Sequence, residues 1–341
     1  MKNVLLLVVA LAACTAVAAD PPVDNKPADK ARKPSANVST DPASAGPDFK
    51  LQGEYTGTTP DGNKVAAQLI ADGDGQFSGR MLRGGLPGDG WDDKTQIKVK
   101  GKAEVGKLRY DFTIPNGPMV KCVVEDGKIN ASVNDGNTVE FKRVVRHSPT
   151  EGEKPPAGAV VLFDGTSADA WDHGKIENGL LSVSVPGGQT SKQKFGDFTA
   201  HVEFILPFMP KARGQGRANS GVYCQGRYEV QVLDSFGLEG KDNECGGIYT
   251  LHAPKVNMCY PPPQWQTYDI DFTAPRFADG KKTENARITV KHNGVLIQDN
   301  VDVKHDTAGN VVPEGPGPGP LHLQNHGNPV FYRNIWLVEK K

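Results

Sequence analysis

The sequence predicts an all-β protein in which a β-sandwich follows a small all-β domain. Three observations support this. Gly and Pro are abundant, at 39 and 26 of 341 residues, and apolar residues alternate over short stretches with little helical period. Turn dipeptides such as Asp126-Gly127, Asp135-Gly136 and Asn293-Gly294 punctuate those stretches at hairpin spacing. No helical run is long enough to carry a parallel crossover, so the strands should pair antiparallel. Charge is balanced, with 39 Lys and Arg against 40 Asp and Glu, which excludes electrostatic steering toward nucleic acid or an acidic membrane surface.

Residues 1–19 read as a signal peptide: Lys2 gives the positive end, Val4 to Ala13 the apolar core, and Ala16-Val17-Ala18 a small-residue cleavage site. Leu11-Ala12-Ala13-Cys14 also resembles a bacterial lipobox, in which Cys14 would carry lipid; the sequence leans toward simple cleavage. Both readings put the mature protein outside the cytoplasm, periplasmic or secreted, with membrane contact only through a lipid on Cys14. Disulfides persist in such a compartment. Cys245 and Cys259 are the expected pair, and closing a loop of about 15 residues stabilises by roughly 3 kcal/mol in the chain-entropy model. Cys224 reads as a small buried hydrophobe, and no Cys/His spacing suggests structural zinc.

Residues 20–48 read as a disordered linker, rich in Pro, Ala, Ser, Asp and Lys and without aromatics. Residues 49–146 form the small β domain, with strands over 64–70, 76–80, 95–100, 108–114 and 128–133, as a barrel or small sandwich. Its loop 83–91 carries Trp91, a side chain that stacks on a sugar or caps a core. Residues 147–158 are a second, Pro-containing linker, and 159–341 the sandwich, with strands over 180–185, 198–206, 265–272, 286–291, 295–299, 321–326 and 331–338. Lys211 to Arg217 is a basic, Gly-rich loop read as a flexible rim.

The central stretch is Tyr228-Glu229-Val230-Gln231-Val232-Leu233-Asp234. Side chains alternate along a strand, so Glu229 and Gln231 share one face while Val230 and Val232 pack behind it. Asp234 is out of phase unless a bulge after Val232 swings it round. With the bulge, two carboxyl groups line one groove, where neighbouring acids can have their pKa values pushed apart to act as acid and base. The bland alternative is a solvated edge strand. In the C-terminal segment, His322, Gln324 and His326 share a face. Asn219-Ser220-Gly221 could present an amide and a hydroxyl to the same groove, or satisfy its own turn. Tyr249 follows a Gly-rich loop pinned by Cys245.

From Ala159 to Lys341 the residues resemble the 3-keto-disaccharide hydrolase domain family. The matching blocks include Leu162-Phe163-Asp164-Gly165, Asn219-Ser220-Gly221-Val222, Cys245-Gly246-Gly247-Ile248-Tyr249, Trp265-Gln266-Thr267-Tyr268-Asp269, Gln324-Asn325-His326-Gly327-Asn328-Pro329 and Phe331-Tyr332-Arg333-Asn334-Ile335. The resemblance implies a concanavalin A-like lectin/glucanase fold, a jelly-roll sandwich, and does not cover the first domain. Glucanases of this fold carry Glu-x-Asp-x-x-Glu on a bulged strand, whereas here the spacing reads Glu-x-Gln-x-x-Asp. The departure argues against double displacement, which needs two carboxyl groups about 5–5.5 Å apart.

The resemblance implies cleavage of 3-keto-glycosides or 3-keto-disaccharides. The C3 ketone acidifies the C2 hydrogen, a base removes it, the C1 substituent is expelled, and water adds back. The roles expected on this basis make His326 or Glu229 the base and Asp234 its partner. Asn219, Gln231, Tyr249, Trp265 and Gln324 contact sugar, and Arg333 faces the oxyanion. No cofactor is firm, although a divalent ion such as calcium bridging Glu229 and His326 suits these ligand types. The competing reading is a lectin-like module that grips glycan without cutting it.

Overall fold

The computed structural model describes residues 38–133 and 136–341. The proposed leader, Cys14 and most of the first linker lie outside the described residues. Among the described residues, no helix is long and apolar enough to cross a membrane.

Eight antiparallel strands pair in sequence order from Gly53–Thr58 to Asn137–Val144, and the last returns to the first, closing a barrel. Tight turns make the meander possible: Asp126 and Gly127 both take positive φ, the geometry that matches strand twist in a two-residue hairpin. Alternate residues, among them Tyr55, Leu69, Phe77, Tyr110, Val124 and Phe141, fill the interior.

The rest of the chain forms two large antiparallel sheets that share one core, with a short hairpin of Arg276–Ala278 and Lys281–Glu284 beside them. The larger runs Ile176–Glu177, Leu180–Ser182, Phe331–Glu339, Phe198–Ile205, Trp265–Thr273, Ala286–His292, Val295–Val303, with Val160–Phe163 also paired to Phe331–Glu339. The smaller runs Gln189–Phe195, Gly319–Leu323, Ser220–Cys224, Tyr228–Val232. Phe204, Tyr268 and Leu337 from the first pack with Val222, Val230 and Leu323 from the second. The Asn293-Gly294 hairpin has positive φ at both residues, as its sequence requires.

Barrel and sheets interlock. Phe208, between two strands of the sheet region, is buried in the barrel core, edge-on to Phe49 at 5.8 Å. Ile70 from the barrel is buried reciprocally in the sheet core. Both presumed linkers carry order where they are described. Ser39 bridges the backbone of Phe208, and Ser148 Oγ lies 2.6 Å from Thr267 Oγ1. The basic loop is tied down rather than a free rim: Lys211 pairs with Asp74 and Arg213 with Asp72 on the barrel.

Candidate active site

The smaller sheet presents its second face away from the shared core. Period-two alternation puts Val222, Val230, Val232, Leu321 and Leu323 inward, leaving Gly221, Tyr223, Glu229, Gln231, His322 and Gln324 on the other side. Gly221 stands opposite Gln231, and Tyr223 stands between Glu229 and His322.

Glu229 is the chemical centre of this face. It is 2 % exposed, and Tyr223 Oη–H donates to its Oε2 at 2.8 Å. Gln324 Nε2 in turn donates to Tyr223 Oη at 2.9 Å. The other oxygen, Oε1, lies over Gly221, where a Cβ would come within 2.2 Å of it. Glycine at this position is therefore what lets the carboxyl group lie flat on the sheet. Burial pushes the Glu229 pKa up to about 8, and the Tyr223 hydrogen bond offsets only part of that rise. At neutral pH the group carries its proton, and since Oε2 accepts from Tyr223, the proton belongs on Oε1.

An amide cluster borders the acid. Gln231 Nε2 donates to Gln215 Oε1 at 2.9 Å, and Asn219 Nδ2 donates to the same oxygen at 2.9 Å. Asn219 Oδ1 is buried with no partner. Tyr249, half-buried, donates its backbone N–H to Glu229 O, and the carboxyl group of Glu229 helps raise its phenol pKa after burial. The site is overlaid by half-buried Gln215, Tyr249 and Gln324 and by exposed Ala308 and Gly309. Alternation in Ser220–Cys224 places Tyr223 beside Glu229, a signal that reading Glu229 and Gln231 alone misses. Gln215 and Gly309 come from loops and leave no such trace.

His326 is exposed, in the turn after Gly319–Leu323. That turn is fixed beside Asn219 and Ser220: Asn219 N donates to Asn328 Oδ1 at 2.8 Å and Ser220 Oγ to Gln324 O at 2.6 Å. Partial burial lowers the imidazole pKa, which favours the neutral ring.

Three expected members lie elsewhere. The ladder from Tyr228 to Val232 keeps register and ends there, so Asp234 lies beyond the strand that carries Glu229. Its Oδ2 accepts from Arg217 Nε at 2.6 Å, and Arg217 also reaches Ala71 O of the barrel. Asp234 is thus a structural ion pair. Trp265 and Arg333 occupy the outer face of the larger sheet, with the guanidinium 3.8 Å from the Trp265 ring centroid. Arg333 is committed to Glu203 and Glu151, at 2.7 and 2.8 Å. The expected Cys245–Cys259 disulfide is also absent: both are free, buried thiols, hydrogen-bonded to each other. Cys245 Sγ further contacts Tyr268 Oη at 3.1 Å, and backbone bonds from Gln231 to Gly246 and Gly247 hold the loop without a bridge.

On that outer face, His201 Nδ1 lies 2.6 Å from Asp269 Oδ1 and its Nε2 3.3 Å from Glu203 Oε1. Among the described residues, the group with ligand atoms close enough to share a metal is Glu153, His201 and Asp269. It includes neither Glu229 nor His326.

Residues 158–338, just over half of the chain, match the family described as 3-keto-alpha-glucoside-1,2-lyase-like domain. No curated protein matches the chain. A crystal structure from Parabacteroides distasonis, described as a "putative glycosyl hydrolase", is 36% identical with a TM-score of 0.50, covering 54% of this chain and 85% of its own. A second structure from the same organism, with the same description, is 17% identical with a TM-score of 0.40, covering 58% of this chain and 99% of its own. The chain belongs to the 3-keto-alpha-glucoside-1,2-lyase-like domain family.

Proposed function

We propose that this protein is an exported carbohydrate-active enzyme that cleaves the glycosidic bond of 3-keto-glycosides by elimination and rehydration. Family membership and the 36% identical glycosyl hydrolase neighbour support a glycosidase-type activity. The observation that carries the finer reading is Glu229, a buried acid protonated at neutral pH on a polar face with no second carboxylate bound to it. Such a site suits elimination next to a ketone better than double displacement, which needs a carboxylate pair. The two-sheet core is consistent with the concanavalin A-like jelly roll, and the leader-like residues 1–19 support export.

In this reading His326, exposed in the turn that Asn328 ties to Asn219, takes the C2 proton. The C2–H electron pair first forms the C2–C3 double bond of an enolate; its collapse restores the C3 carbonyl, makes the C1–C2 double bond and breaks the C1–O bond. Glu229, a carboxylic acid kept neutral by its surroundings, passes its Oε1 proton to the departing C1 oxygen. Asn219, Gln231 and Gln324 amides hold sugar hydroxyls. Water then adds its hydroxyl to C1 as Glu229 takes its proton, and His326 returns its proton to C2, so the net reaction is hydrolysis.

A chromogenic 3-keto-glucoside compared with its non-oxidised parent tests this. Release of chromogen from the keto form alone, lost in Glu229→Gln and in His326→Ala with the fold retained, is the expected result. Saturable binding of both sugars with no release would make the protein a lectin and overturn the proposal.

A further inference from the structure

A second polar device lies on the outer face of the larger sheet, away from the Glu229 face, and needs no part of the proposed lyase chemistry. His201 and Asp269 stand directly opposite each other on neighbouring strands. Glu153 joins them from the segment between barrel and sheets, and one ligand atom from each residue lies within 4.8 Å of the other two.

The surroundings hold all three in place. The His201 ring stacks on Trp336, with centroids 5.2 Å apart and planes at 19°, and its Nε2 faces Glu203 Oε1 at 3.3 Å. Asp269 Oδ2 accepts from Thr150 Oγ1 at 2.8 Å, while Oδ1 meets His201 Nδ1 at 2.6 Å. The Glu153 carbonyl accepts from Asn334 Nδ2 at 2.9 Å and from Trp336 Nε1 at 3.3 Å, which fixes its backbone over the sheet. Its carboxylate, by contrast, is exposed and enters no hydrogen bond or ion pair among the described residues. Arg333 does not neutralise it, being engaged by Glu203 and Glu151.

We infer that Glu153, His201 and Asp269 bind one divalent transition-metal ion of the zinc type, which fastens the 147–158 segment to the sheet. One imidazole and two carboxylates form a zinc donor set, whereas calcium asks for about six to eight oxygens. Nδ1 is the ligand atom, and Glu203 is the outer carboxylate that accepts Nε2–H and orients a metal-bound imidazole. Ligand atoms on tetrahedral zinc stand about 3.4 Å apart. The His201–Asp269 contact therefore opens as the ion replaces the proton shared there, and that proton leaves to solvent. Glu153 closes by side-chain rotation. His201 is fully buried, so the ion enters from the solvent side, past Glu153 and the 24 % exposed Asp269 side chain. Water takes the fourth position.

Calorimetric titration of the chelator-treated full chain with zinc, calcium and magnesium chlorides tests the inference. Zinc should bind at one ion per chain and at least about tenfold more tightly than the other two cations. Glu153→Gln and Asp269→Asn should each weaken zinc binding at least about tenfold. Zinc should raise the melting temperature of the wild type but not that of Glu153→Gln, a change at an exposed side chain that leaves the fold intact. Glu229→Gln and His326→Ala should bind zinc as the wild type does, so failure of the lyase reading would leave this result standing. The inference fails if the wild type binds no stoichiometric zinc, or if calcium or magnesium binds as tightly. It fails equally if Glu153→Gln and Asp269→Asn both leave the affinity unchanged, or if His326→Ala abolishes binding and so moves the ion to the opposite face.

Discussion

Glu229 and Glu203 are both buried glutamates on sheet faces turned away from the shared core, yet their chemistry is opposite. Glu203 is 0 % exposed. Burial alone would raise its pKa, but His201, Asn334, the Gly152 backbone and Arg333 all donate to it and hold it at about 2. Glu229 has the Tyr223 hydroxyl and no cation beside it, and it rises to about 8. Burial is common to both; the number and charge of the donors decide the ionisation state. One arrangement fastens the 147–158 segment across a sheet, and the other keeps a carboxyl group neutral.

The largest expected effect falls on catalysis. Glu229→Gln should lower kcat on a 3-keto-glucoside by about 10²–10⁴-fold, the contribution of a positioned acid or oxyanion donor. The same change should stabilise the fold at alkaline pH. A carboxyl group whose folded pKa exceeds its unfolded value costs stability as pH rises from 4.5 toward 8, and the amide removes that cost, by about 2–4 kcal/mol at pH 9. Denaturant titrations of both proteins at pH 5 and 9 check it; equal stability at both would place Glu229 outside a dry environment.

Glu203→Ala should act the other way, destabilising by about 2–4 kcal/mol because it leaves Asn334, the Gly152 N–H and part of the His201 and Arg333 charge without their buried acceptor. Chemical denaturation measures this, and kcat on folded protein should hold within about threefold. The His201 pKa is lowered by burial but raised further by Asp269 and Glu203, to about 9. Its contribution to stability is therefore complete below pH 6.5 and lost as pH climbs to 9. That of Glu203 is complete above pH 4.5 and lost as pH falls toward 2. A stability profile of the wild type without a decline between pH 6.5 and 9 would contradict this account.

Tyr223→Phe sharpens the contrast at the other glutamate. Without its donor, the Glu229 pKa should rise further, moving the alkaline limb of the kcat profile to higher pH and costing about tenfold in rate. The smallest effect belongs to Trp265→Ala. The ring covers the Arg333 guanidinium on the outer face of the larger sheet, so stability should fall by about 1 kcal/mol with kcat/KM unchanged. A large loss of activity in that variant would return Trp265 to the site.

The contrast also shows what could be read from the sequence. Alternation assigns Glu229 and Gln231 to one face and Val230 and Val232 to the other, as found. It also assigns Trp265 and Asp269 to one face of their own strand, as found, but says nothing of which sheet that face belongs to or what lies over it. Trp265 and Arg333 were misplaced for that reason. Asp234 depended on a bulge, a feature of local backbone geometry, and its partner Arg217 lies seventeen residues earlier beside a barrel carbonyl. Most barrel strands could be located from their turns, but closure could not: it requires Gly53–Thr58 to meet Asn137–Val144, a pairing between chain ends that no local pattern encodes.

Phe208 carries a consequence for the gene as well as the protein. Because it plugs the barrel while Ile70 plugs the sheets, neither half is a self-sufficient cassette. Splitting the reading frame near residue 150 would give one product with an empty socket and another displaying a greasy knob. Shuffling the barrel onto a different partner would succeed only if the newcomer supplied an equivalent aromatic at the same point.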